Sequence, residues 1–266
     1  MDKRERGMDM LLENRVAIVT GGAKGLGRGI AERFAREGAA VIIADIAAPE
    51  AEETLRDIQA AGGRALAIKC DVTSADQVRD MVAATVAAFG KIDILVNNAG
   101  SLLGVPGATN LATVTEEAWE CVLNLNLKGA FLCSREVVPY MQANRYGKII
   151  NMSSMGAIHP PMPTPHYNSA KAGLLGLTYD MAIEFARDNI HVNAILPGPI
   201  RTTFYDKATG SMTAEETEAF FAMLGSMVPL QRVGTPDDIA GAALFLASDL
   251  SSYVTGVALP VAGGLT

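Results

Sequence analysis

Tyr167 and Lys171 stand four positions apart in the run YNSAK, which opens an apolar stretch of helix length. At that spacing two side chains share one face of a helix, so the phenol and the ammonium are neighbours. A nearby cation lowers the pKa of tyrosine, which makes Tyr167 a candidate acid and base near neutral pH. The same spacing also occurs where an aromatic ring packs under a solvated lysine stem, so the surroundings decide its meaning.

The elements that must position this pair follow an alternating pattern of short β-rich runs and amphipathic stretches of helix length. The predicted strands are Val16 to Thr20, Val41 to Ala44, Ala65 to Lys69, Ile94 to Asn97, Lys148 to Asn151, His191 to Leu196 and Val257 to Val261. The predicted helices are Leu26 to Glu37, Pro49 to Ala61, Ala75 to Phe89, Glu116 to Gln142, Tyr167 to Asp188 and Pro236 to Ala247. We therefore expect a single α/β domain over residues 15–266, after an N-terminal extension of residues 1–14. Its core is a Rossmann-type, doubly wound parallel sheet of seven strands with helices on both faces.

Composition supports one large domain, since 49% of the 266 residues are hydrophobic and 19% are charged. The formal charge of −7 and the lack of a long basic run argue against a nucleic-acid or anionic-membrane partner. We expect a cytoplasmic protein, because no uncharged run reaches membrane-spanning length and Met1 to Arg15 contains no signal-peptide core. Cys70, Cys121 and Cys133 form no C-x-x-C pair and are expected to be buried, reduced thiols.

A glycine-rich turn, TGGAKGLG at residues 20–27, follows the first strand directly and precedes a helical pattern. Glycines let the backbone approach a pyrophosphate, whose charge is met by the amides and dipole of the helix N-terminus. Such a run alone is more often only a turn, but strand, turn and helix together favour dinucleotide binding. The predicted contacts are Gly21, Lys24, Gly25, Leu26 and Gly27.

Asp45 ends the second strand, 18 positions beyond Gly27. A carboxylate there can accept hydrogen bonds from the adenosine ribose and would repel a 2′-phosphate, which favours NAD over NADP. Lys24 is the counter-argument, because a cation in the glycine turn could partly neutralise that phosphate. Asp45 could instead be a helix N-cap.

At this point the chain resembles the short-chain dehydrogenase/reductase family, from about Arg15 to the C-terminus. The resemblance rests on the glycine turn, Asp71-Val72, the NNAG run at residues 97–100, Asn126, Ser154, YNSAK and the PGPIRT run at residues 197–202. It implies that Asp71 and Val72 hold the adenine and that Asn98, Ala99 and Gly100 line the cofactor cleft. It also implies that Ile200 and Thr202 contact the nicotinamide carboxamide beside a turn shaped by Pro197 and Gly198. Lys171 would bind the nicotinamide ribose next to Tyr167.

The resemblance also completes the catalytic set. Ser154 lies 13 residues before Tyr167, the spacing usual in the family, which selects it over its neighbour Ser153. Ser154 would fix the substrate oxygen, and Asn126 would hold a water of a proton relay. Family members are commonly homotetramers, so a homotetramer is expected here.

These residues predict an NAD(H)-dependent oxidoreductase that interconverts a secondary alcohol and a ketone by hydride transfer, with Tyr167 as acid and base. An NADPH-dependent 3-oxoacyl-[acyl-carrier-protein] reductase is the alternative, although Ile183 occupies the position of one docking arginine and Arg145 matches another. A catalytically silent dinucleotide-binding sensor or scaffold is a second alternative. We predict no metal site, because His159 and His166 have no ligand-spaced partner and are placed on a pocket loop, and His191 is taken as structural.

Three mainly apolar segments should wall the substrate pocket: Met155 to Pro165, Ser101 to Val105, and a flap at about residues 201–227. Four prolines make His159 to Pro165 a stiff extended loop rather than a helix. The flap has the composition of a mobile helical cover, or equally of a packed helical excursion. A small neutral alcohol or ketone suits such walls, with Arg201 able to meet one carboxylate.

Overall fold

The computed structural model describes residues 10–102, 110–202, 205 and 210–265. Its sheet has seven parallel strands in the order β3-β2-β1-β4-β5-β6-β7. The strands are β1 (Val16–Thr20), β2 (Ala40–Asp45), β3 (Arg64–Lys69), β4 (Ile94–Asn97), β5 (Gly147–Met152), β6 (Ile190–Pro197) and β7 (Ala258–Val261). The predicted fold class is confirmed, and each strand boundary lies within one residue of its prediction.

Helices cover both faces of the sheet, because successive residues of a buried strand point to opposite faces. Ala17 and Val19 of β1 belong to one buried apolar cluster, whereas Val16 and Ile18 belong to another. The helices are α1 (Gly25–Arg36), α2 (Ala48–Ala60), α3 (Ala75–Phe89), α4 (Glu116–Leu123), α5 (Gly129–Asn144), α6 (Pro165–Phe185), α7 (Ala214–Ser226) and α8 (Pro236–Ala247). The first cluster takes residues from α1, α2 and α8, and the second from α3, α5 and α6.

The strand order reverses between β1 and β4, since the chain runs outward to β3 and then returns past β1. Helices leave these two neighbouring strands in opposite directions, and a crevice opens at their carboxyl ends. The glycine turn follows β1 and the NNAG run begins at the end of β4. The fold therefore brings two motifs that lie about 80 residues apart to one edge of the sheet.

The helix predicted over Glu116 to Gln142 is present and runs on to Asn144, but it is not a regular α-helix throughout. A π-helical turn, Asn124–Lys128, separates α4 from α5, and α5 continues to Asn144. Single π turns of this kind occur often at functional sites, because the extra residue re-aims nearby side chains. Asn126 lies within this turn.

Two other boundaries differ from their predictions. The proline-rich segment is shorter than expected, because Pro165 is the first residue of α6 rather than part of an extended loop. Proline fits that position, where its missing N–H removes no intrahelical bond. The same helix ends at Phe185, and a 3₁₀ turn, Ala186–Asp188, follows it.

Part of the predicted N-terminal extension packs on the domain. The side chain of Leu12 is fully buried, and its N–H donates to the carbonyl of Glu37 at 2.9 Å. Within the flap, α7 begins at a capping box formed by Thr213 and Glu216, while residues 203–204 and 206–209 lie outside the described residues. Among the described residues, no helix is both long and apolar enough to cross a membrane.

A buried polar network joins the sheet to the helix that carries Tyr167 and Lys171. The amide nitrogen of Asn97 donates to Ser134 Oγ at 3.0 Å and to Asn151 Oδ1 at 2.9 Å. Asn151 Nδ2 in turn donates to Thr178 Oγ1 of α6 at 2.9 Å. Buried polar groups of this kind stabilise the fold only while each retains its partner.

We predict that Thr178→Val lowers the free energy of unfolding by about 1–3 kcal/mol, because it removes the acceptor of a buried amide. Thr85→Val is the matched control, since among the described residues the buried hydroxyl of Thr85 bonds only to Met81 O of its own helix. Denaturant unfolding of both variants measures the difference. Equal stability losses in the two variants would contradict the role of the network.

Candidate active site

A cleft of about 1070 Å³ lies at the carboxyl ends of the strands. Most of the predicted site residues line it: Gly21, Lys24, Gly25, Leu26, Asp45, Asp71, Val72, Asn98, Ala99, Gly100, Ser154, Tyr167, Lys171, Pro197, Gly198, Ile200 and Thr202. Gly27 and Asn126 are outside this lining. The fold thus gathers residues from widely separated motifs around one space.

The glycine turn has the backbone geometry that binding a pyrophosphate requires. Gly21 and Gly25 have φ angles of +62° and +55°, which side chains rarely tolerate. A Cβ on Gly27 would lie 2.0 Å from the carbonyl oxygen of Gly21, so Gly27 closes the turn without lining the cleft. Asn98 Nδ2 donates to the carbonyls of Thr20 and Gly21 at 2.9 and 3.0 Å, which fixes the turn to the end of β4.

Asp45 lies beside the glycine turn at the end of β2. Its Oδ2 accepts from the N–H of Ala23 at 3.0 Å, and its Oδ1 accepts from the N–H of Ala47 at 2.9 Å. Lys24 Nζ lies 2.8 Å from Glu50 Oε1, so the cation of the turn is paired with a carboxylate. Two carboxylates and one cation therefore share this end of the cleft.

Asp71 and Val72 form the next part of the wall. Asp71 Oδ1 accepts from the N–H and the hydroxyl of Thr73 at 2.9 and 2.7 Å, which makes its carboxylate the organiser of the turn after β3. The side chain of Val72 is buried and its surface borders the cleft. Burial also raises the pKa of the neighbouring Cys70 thiol to about 11, so that thiol stays protonated.

Ser154, Tyr167 and Lys171 meet between β5 and α6. Ser154 Oγ accepts from the N–H of Gly156 at 3.0 Å and is hydrogen-bonded to the phenol of Tyr167. Lys171 is 4% exposed, and its Nζ donates to the carbonyl of Met152 at 2.8 Å. The ammonium lies 5.5 Å from the centroid of the Tyr167 ring. The helix spacing of the sequence thus places all three groups at one end of the cleft.

The pKa of Tyr167 differs from the expectation. Burial raises it to about 12, against a lowering by the Ser154 hydrogen bond, and the nearby Tyr205 phenol raises it further. Burial also lowers the pKa of Lys171 to about 8. The lowered pKa expected for Tyr167 is therefore not found in the protein alone, because desolvation has the largest effect on the phenol. Near neutral pH the pair is a phenol and an ammonium.

Asn126 is buried behind this group. Its Nδ2 donates to the carbonyls of Ser101 and Val122 at 2.8 and 3.0 Å, while its Oδ1 has no partner among the described residues. A Cβ on Gly100 would lie 2.6 Å from that oxygen and 3.0 Å from Lys171 Nζ. Glycine at position 100 therefore leaves open the space between Asn126 Oδ1 and Lys171 Nζ, which a Cβ would fill. A water in that space would have polar partners on both sides.

The far end of the cleft is shaped by the segment after β6. A Cβ on Gly198 would lie 2.8 Å from the Cα of Ala262, so this position requires glycine for close backbone packing. Ile200 is buried and forms a bridge with Gly234, which holds the PGPIRT segment against the chain that leads into α8. Pro197, Ile200 and Thr202 border the cleft there.

The substrate side of the cleft carries an aromatic group. Tyr205 borders the cleft and packs edge-on against Phe220 and Phe221 at centroid distances of 5.8 and 5.7 Å. Arg201 stacks over Phe221 at 4.7 Å and forms a two-pronged ion pair with Glu218, so it already has a carboxylate partner. Of the other predicted wall, Ser101 and Leu102 line the cleft, and residues 103–105 lie outside the described residues.

Two sequence-based expectations are corrected here. Cys121 is exposed and borders the cleft, whereas Cys70 and Cys133 are buried as predicted. His166 is buried within α6 rather than on a loop, and its Nδ1 accepts from the N–H of Tyr167 at 2.9 Å. His159 does border the cleft.

Several lining residues carried no motif. Cys121, Leu125 and Lys128 border the cleft from α4 and the π turn. Their spacing of four and three residues is the helical signal that could have placed them on one face. Ile46 follows Asp45 and is an exposed apolar residue. It borders the cleft because it lies just beyond the carboxyl end of β2. Among the described residues, no group of three or more His, Cys, Asp or Glu side chains is arranged to hold a metal ion.

Comparison with known proteins agrees with this geometry. The family model that matches residues 21–266 is described as enoyl-(acyl carrier protein) reductase and belongs to the short-chain dehydrogenases. Among curated relatives, a subunit of (2S)-[(R)-hydroxy(phenyl)methyl]succinyl-CoA dehydrogenase from Thauera aromatica is 43% identical, over 96% of this chain and 98% of that protein. A 3-oxoacyl-[acyl-carrier-protein] reductase from Thermotoga maritima is 40% identical, over 96% and 99% of the two chains.

Solved structures show the same likeness. Levodione reductase superposes with a TM-score of 0.87 at 32% identity, covering 95% of this chain and 98% of that one. A short-chain type dehydrogenase/reductase from Mycobacterium marinum gives a TM-score of 0.86 at 33% identity, covering 97% and 98%. The chain belongs to the short-chain dehydrogenase/reductase family, whose members use NAD or NADP, and is an oxidoreductase of alcohol and ketone groups.

Proposed function

We propose that this protein is an NAD(H)-dependent oxidoreductase that interconverts a secondary alcohol and a ketone. The observation that carries the proposal is the meeting of Ser154, Tyr167 and Lys171 at one end of a cleft whose other end is the glycine turn. The turn fits a pyrophosphate, and one cleft is lined by the turn and by all three of these residues, as a bound dinucleotide requires. When bound, the cofactor supplies or accepts the hydride.

The residues of the chain then have to hold the substrate oxygen and move one proton. Ser154 Oγ already accepts from Gly156 N, so its own hydroxyl hydrogen is directed to the phenol or to the substrate oxygen. In ketone reduction the Tyr167 phenol donates a proton to the oxygen as negative charge develops there. In alcohol oxidation the phenol oxygen of Tyr167 must first lose its proton. The raised pKa of Tyr167 opposes this loss until a further positive charge lies beside the phenol.

Lys171 and Asn126 complete the proposed proton path. The ammonium of Lys171 would bind the ribose next to the nicotinamide, and it supplies positive charge 5.5 Å from the centroid of the Tyr167 ring. The unpartnered Oδ1 of Asn126 and the Lys171 ammonium both border the space beside Gly100. A water held between them would carry the proton from solvent to Lys171 and so to Tyr167.

The preference for NAD rests on charge at the ribose end. The carboxylate of Asp45 lies at the end of β2, where it accepts hydrogen bonds from two backbone amides. Lys24 is the cation that could receive a 2′-phosphate, and it is paired with Glu50. A 2′-phosphate at that position would face the carboxylate of Asp45, while the charge of Lys24 is already paired with Glu50, which disfavours NADP.

The cleft walls favour a neutral substrate with an aromatic or alicyclic ring. Met155, Pro161, Met162 and Tyr205 border the substrate side, and the guanidinium of Arg201 is already paired with Glu218. The names of two similar proteins bear on this choice: one acts on a phenyl-bearing hydroxy compound, which supports the ring although that compound is an anionic succinyl-CoA, and the other acts on levodione. Apolar walls with a few polar groups give such a ring its orientation.

A 3-oxoacyl-[acyl-carrier-protein] reductase is the second candidate, favoured by the 40% identical relative, and the family model's description also names a substrate borne on acyl carrier protein. Such an enzyme must dock an acidic carrier. On α6 the exposed positions include Ile183, which is 80% exposed, and Asp180. The guanidinium of Arg145 is bound to the carbonyl of Arg187 and lies 3.9 Å from Asp188. This surface offers an acidic carrier little attraction.

We also propose a homotetramer. Phe131 on α5 and Tyr179 and Ile183 on α6 are exposed apolar side chains of neighbouring helices. A second copy that covered them would remove apolar surface from water. Sedimentation or light scattering measures the state directly.

Tyr167→Phe is expected to bind NADH as tightly as the unaltered protein and to lose at least about 1000-fold in kcat, because it keeps the ring and removes the transferable proton. Tyr179→Phe is the matched control, since this tyrosine lies on the exposed side of the same helix. Fluorescence titration measures binding, and the absorbance of the reduced nicotinamide measures turnover on a panel of ketones. Retention of kcat in the Tyr167 variant would disprove the assignment.

Asp45→Ala should raise kcat/KM for NADP at least about tenfold relative to NAD, because it removes a negative charge from the position of the 2′-phosphate. Glu50→Gln should act in the same direction and more weakly, since its pair with Lys24 is exposed. Kinetics with both cofactors check the order. If the unaltered protein used NADPH with an acyl-carrier substrate better than NADH with simple ketones, the second candidate function would replace the first.

Cofactor affinity should depend on pH through Lys171. Burial lowers the pKa of this lysine to about 8, so its positive charge is present below pH 8 and is lost as the pH rises through that value. We therefore expect the affinity for NADH to fall above about pH 8. Titrations between pH 6.5 and 9.5 test this, with Lys171→Arg expected to remove the pH dependence. A flat profile in the unaltered protein would be inconsistent with a role of the ammonium in binding.

A further inference from the structure

Both the side-chain ammonium and the backbone carbonyl of Lys171 are hydrogen-bonded to residues at the end of β5. Its ammonium donates to the carbonyl of Met152 at 2.8 Å. Its backbone carbonyl accepts a hydrogen bond from Ser153 Oγ, also at 2.8 Å. Two consecutive residues, Met152 and Ser153, therefore bind the ammonium and the backbone carbonyl of the same lysine.

Ser153 is a rigid anchor for this attachment. Its side chain is buried with 4% exposure, and its N–H donates to the carbonyl of Ile195 in β6 at 2.8 Å. That bond continues the β5–β6 ladder by one residue, so Ser153 moves with the sheet rather than with a loop. The hydrogen bond from the Ser153 hydroxyl thus fixes the turn of α6 that carries Lys171 relative to the sheet.

A lysine side chain has four rotatable bonds and would otherwise occupy many rotamers. Holding both its carbonyl and its ammonium from one strand end restricts the tip to a narrow volume. In that volume the ammonium borders the space beside Gly100, where a Cβ would come within 3.0 Å of it. A shift of α6 at this turn would change the position of Nζ in the cleft.

We propose that Ser153 is the positioning residue of Lys171: its buried hydroxyl fixes the helix turn from which the lysine reaches the cofactor. This inference rests on the proposed function only in that Lys171 is taken to bind the nicotinamide ribose. Ser153 borders the cleft, but its hydroxyl hydrogen is committed to the Lys171 carbonyl, so we assign it no proton transfer.

The neighbouring attachment of the same helix gives a direct contrast. Thr178 lies seven residues further along α6 and receives a hydrogen bond from Asn151, also at the end of β5. Both attachments are buried and both join β5 to α6. Only the Ser153 attachment is made to Lys171, so a general loss of helix docking and a specific loss of lysine position can be told apart.

The test is a double-mutant cycle on NADH affinity with Ser153→Ala and Lys171→Ala, each also examined by thermal unfolding without cofactor. Ser153→Ala alone should weaken NADH binding about tenfold, the scale of one lost hydrogen bond. In the Lys171→Ala background the same change should have almost no effect on affinity, because the group that it positions is absent. Thr178→Val should lower the melting temperature while leaving NADH affinity unchanged.

Equal effects of Ser153→Ala in both backgrounds, or an equal loss of affinity in Thr178→Val, would overturn the inference and leave Ser153 as a general packing residue. Should Ser153→Ala fail to fold, Ser153→Cys preserves the volume with a much weaker donor and enters the same cycle with the same expected result. A failure of the proposed function has a different signature. In that case Lys171→Ala itself would leave NADH affinity intact.

Discussion

The burial of the Lys171 ammonium beside the end of β5 is the constraint on which the site depends. A cation removed from water requires fixed polar partners. The ammonium of Lys171 donates to the carbonyl of Met152, which is the last residue of β5. Burial brings the pKa of the lysine down to about 8 and raises that of Tyr167 to about 12. The protein alone therefore holds a proton donor and a cation side by side, ready for an oxygen on which negative charge develops.

The position of this pair follows from the topology of the sheet. Because the strand order reverses between β1 and β4, the glycine turn and the NNAG segment open onto one crevice, and β5 lies next to β4. Asn98 ties the turn to β4, while the π turn that contains Asn126 brings an amide behind Gly100. Each contact joins residues distant in the chain, so the cleft persists only while the sheet and both helix layers are assembled.

Local pattern was enough to predict the strands, the fold class and the glycine turn, whereas most other residues of the cleft, Ser154 among them, were predicted from the family resemblance. Alternation of β-rich and amphipathic runs is a local signal, and glycines with positive φ, such as Gly21 and Gly25, mark a turn that few other residues allow. Pattern failed where packing decides the outcome. The π turn at Asn124–Lys128, the helical start at Pro165 and the exposure of Cys121 all depend on neighbours from other parts of the chain.

The sequence by itself determined which chemical groups are present and their spacing along the helix: a tyrosine, a lysine four residues later, a serine 13 residues earlier and an acidic residue after the second strand. Only the tertiary structure decided their properties. Desolvation shifted the pKa values of Tyr167 and Lys171. Lys24 forms an ion pair with Glu50 and Arg201 with Glu218, and Ser153 donates a hydrogen bond to the carbonyl of Lys171. The physical reason is that electrostatic energies and hydrogen bonds depend on distance and burial in space, which spacing along the chain does not specify.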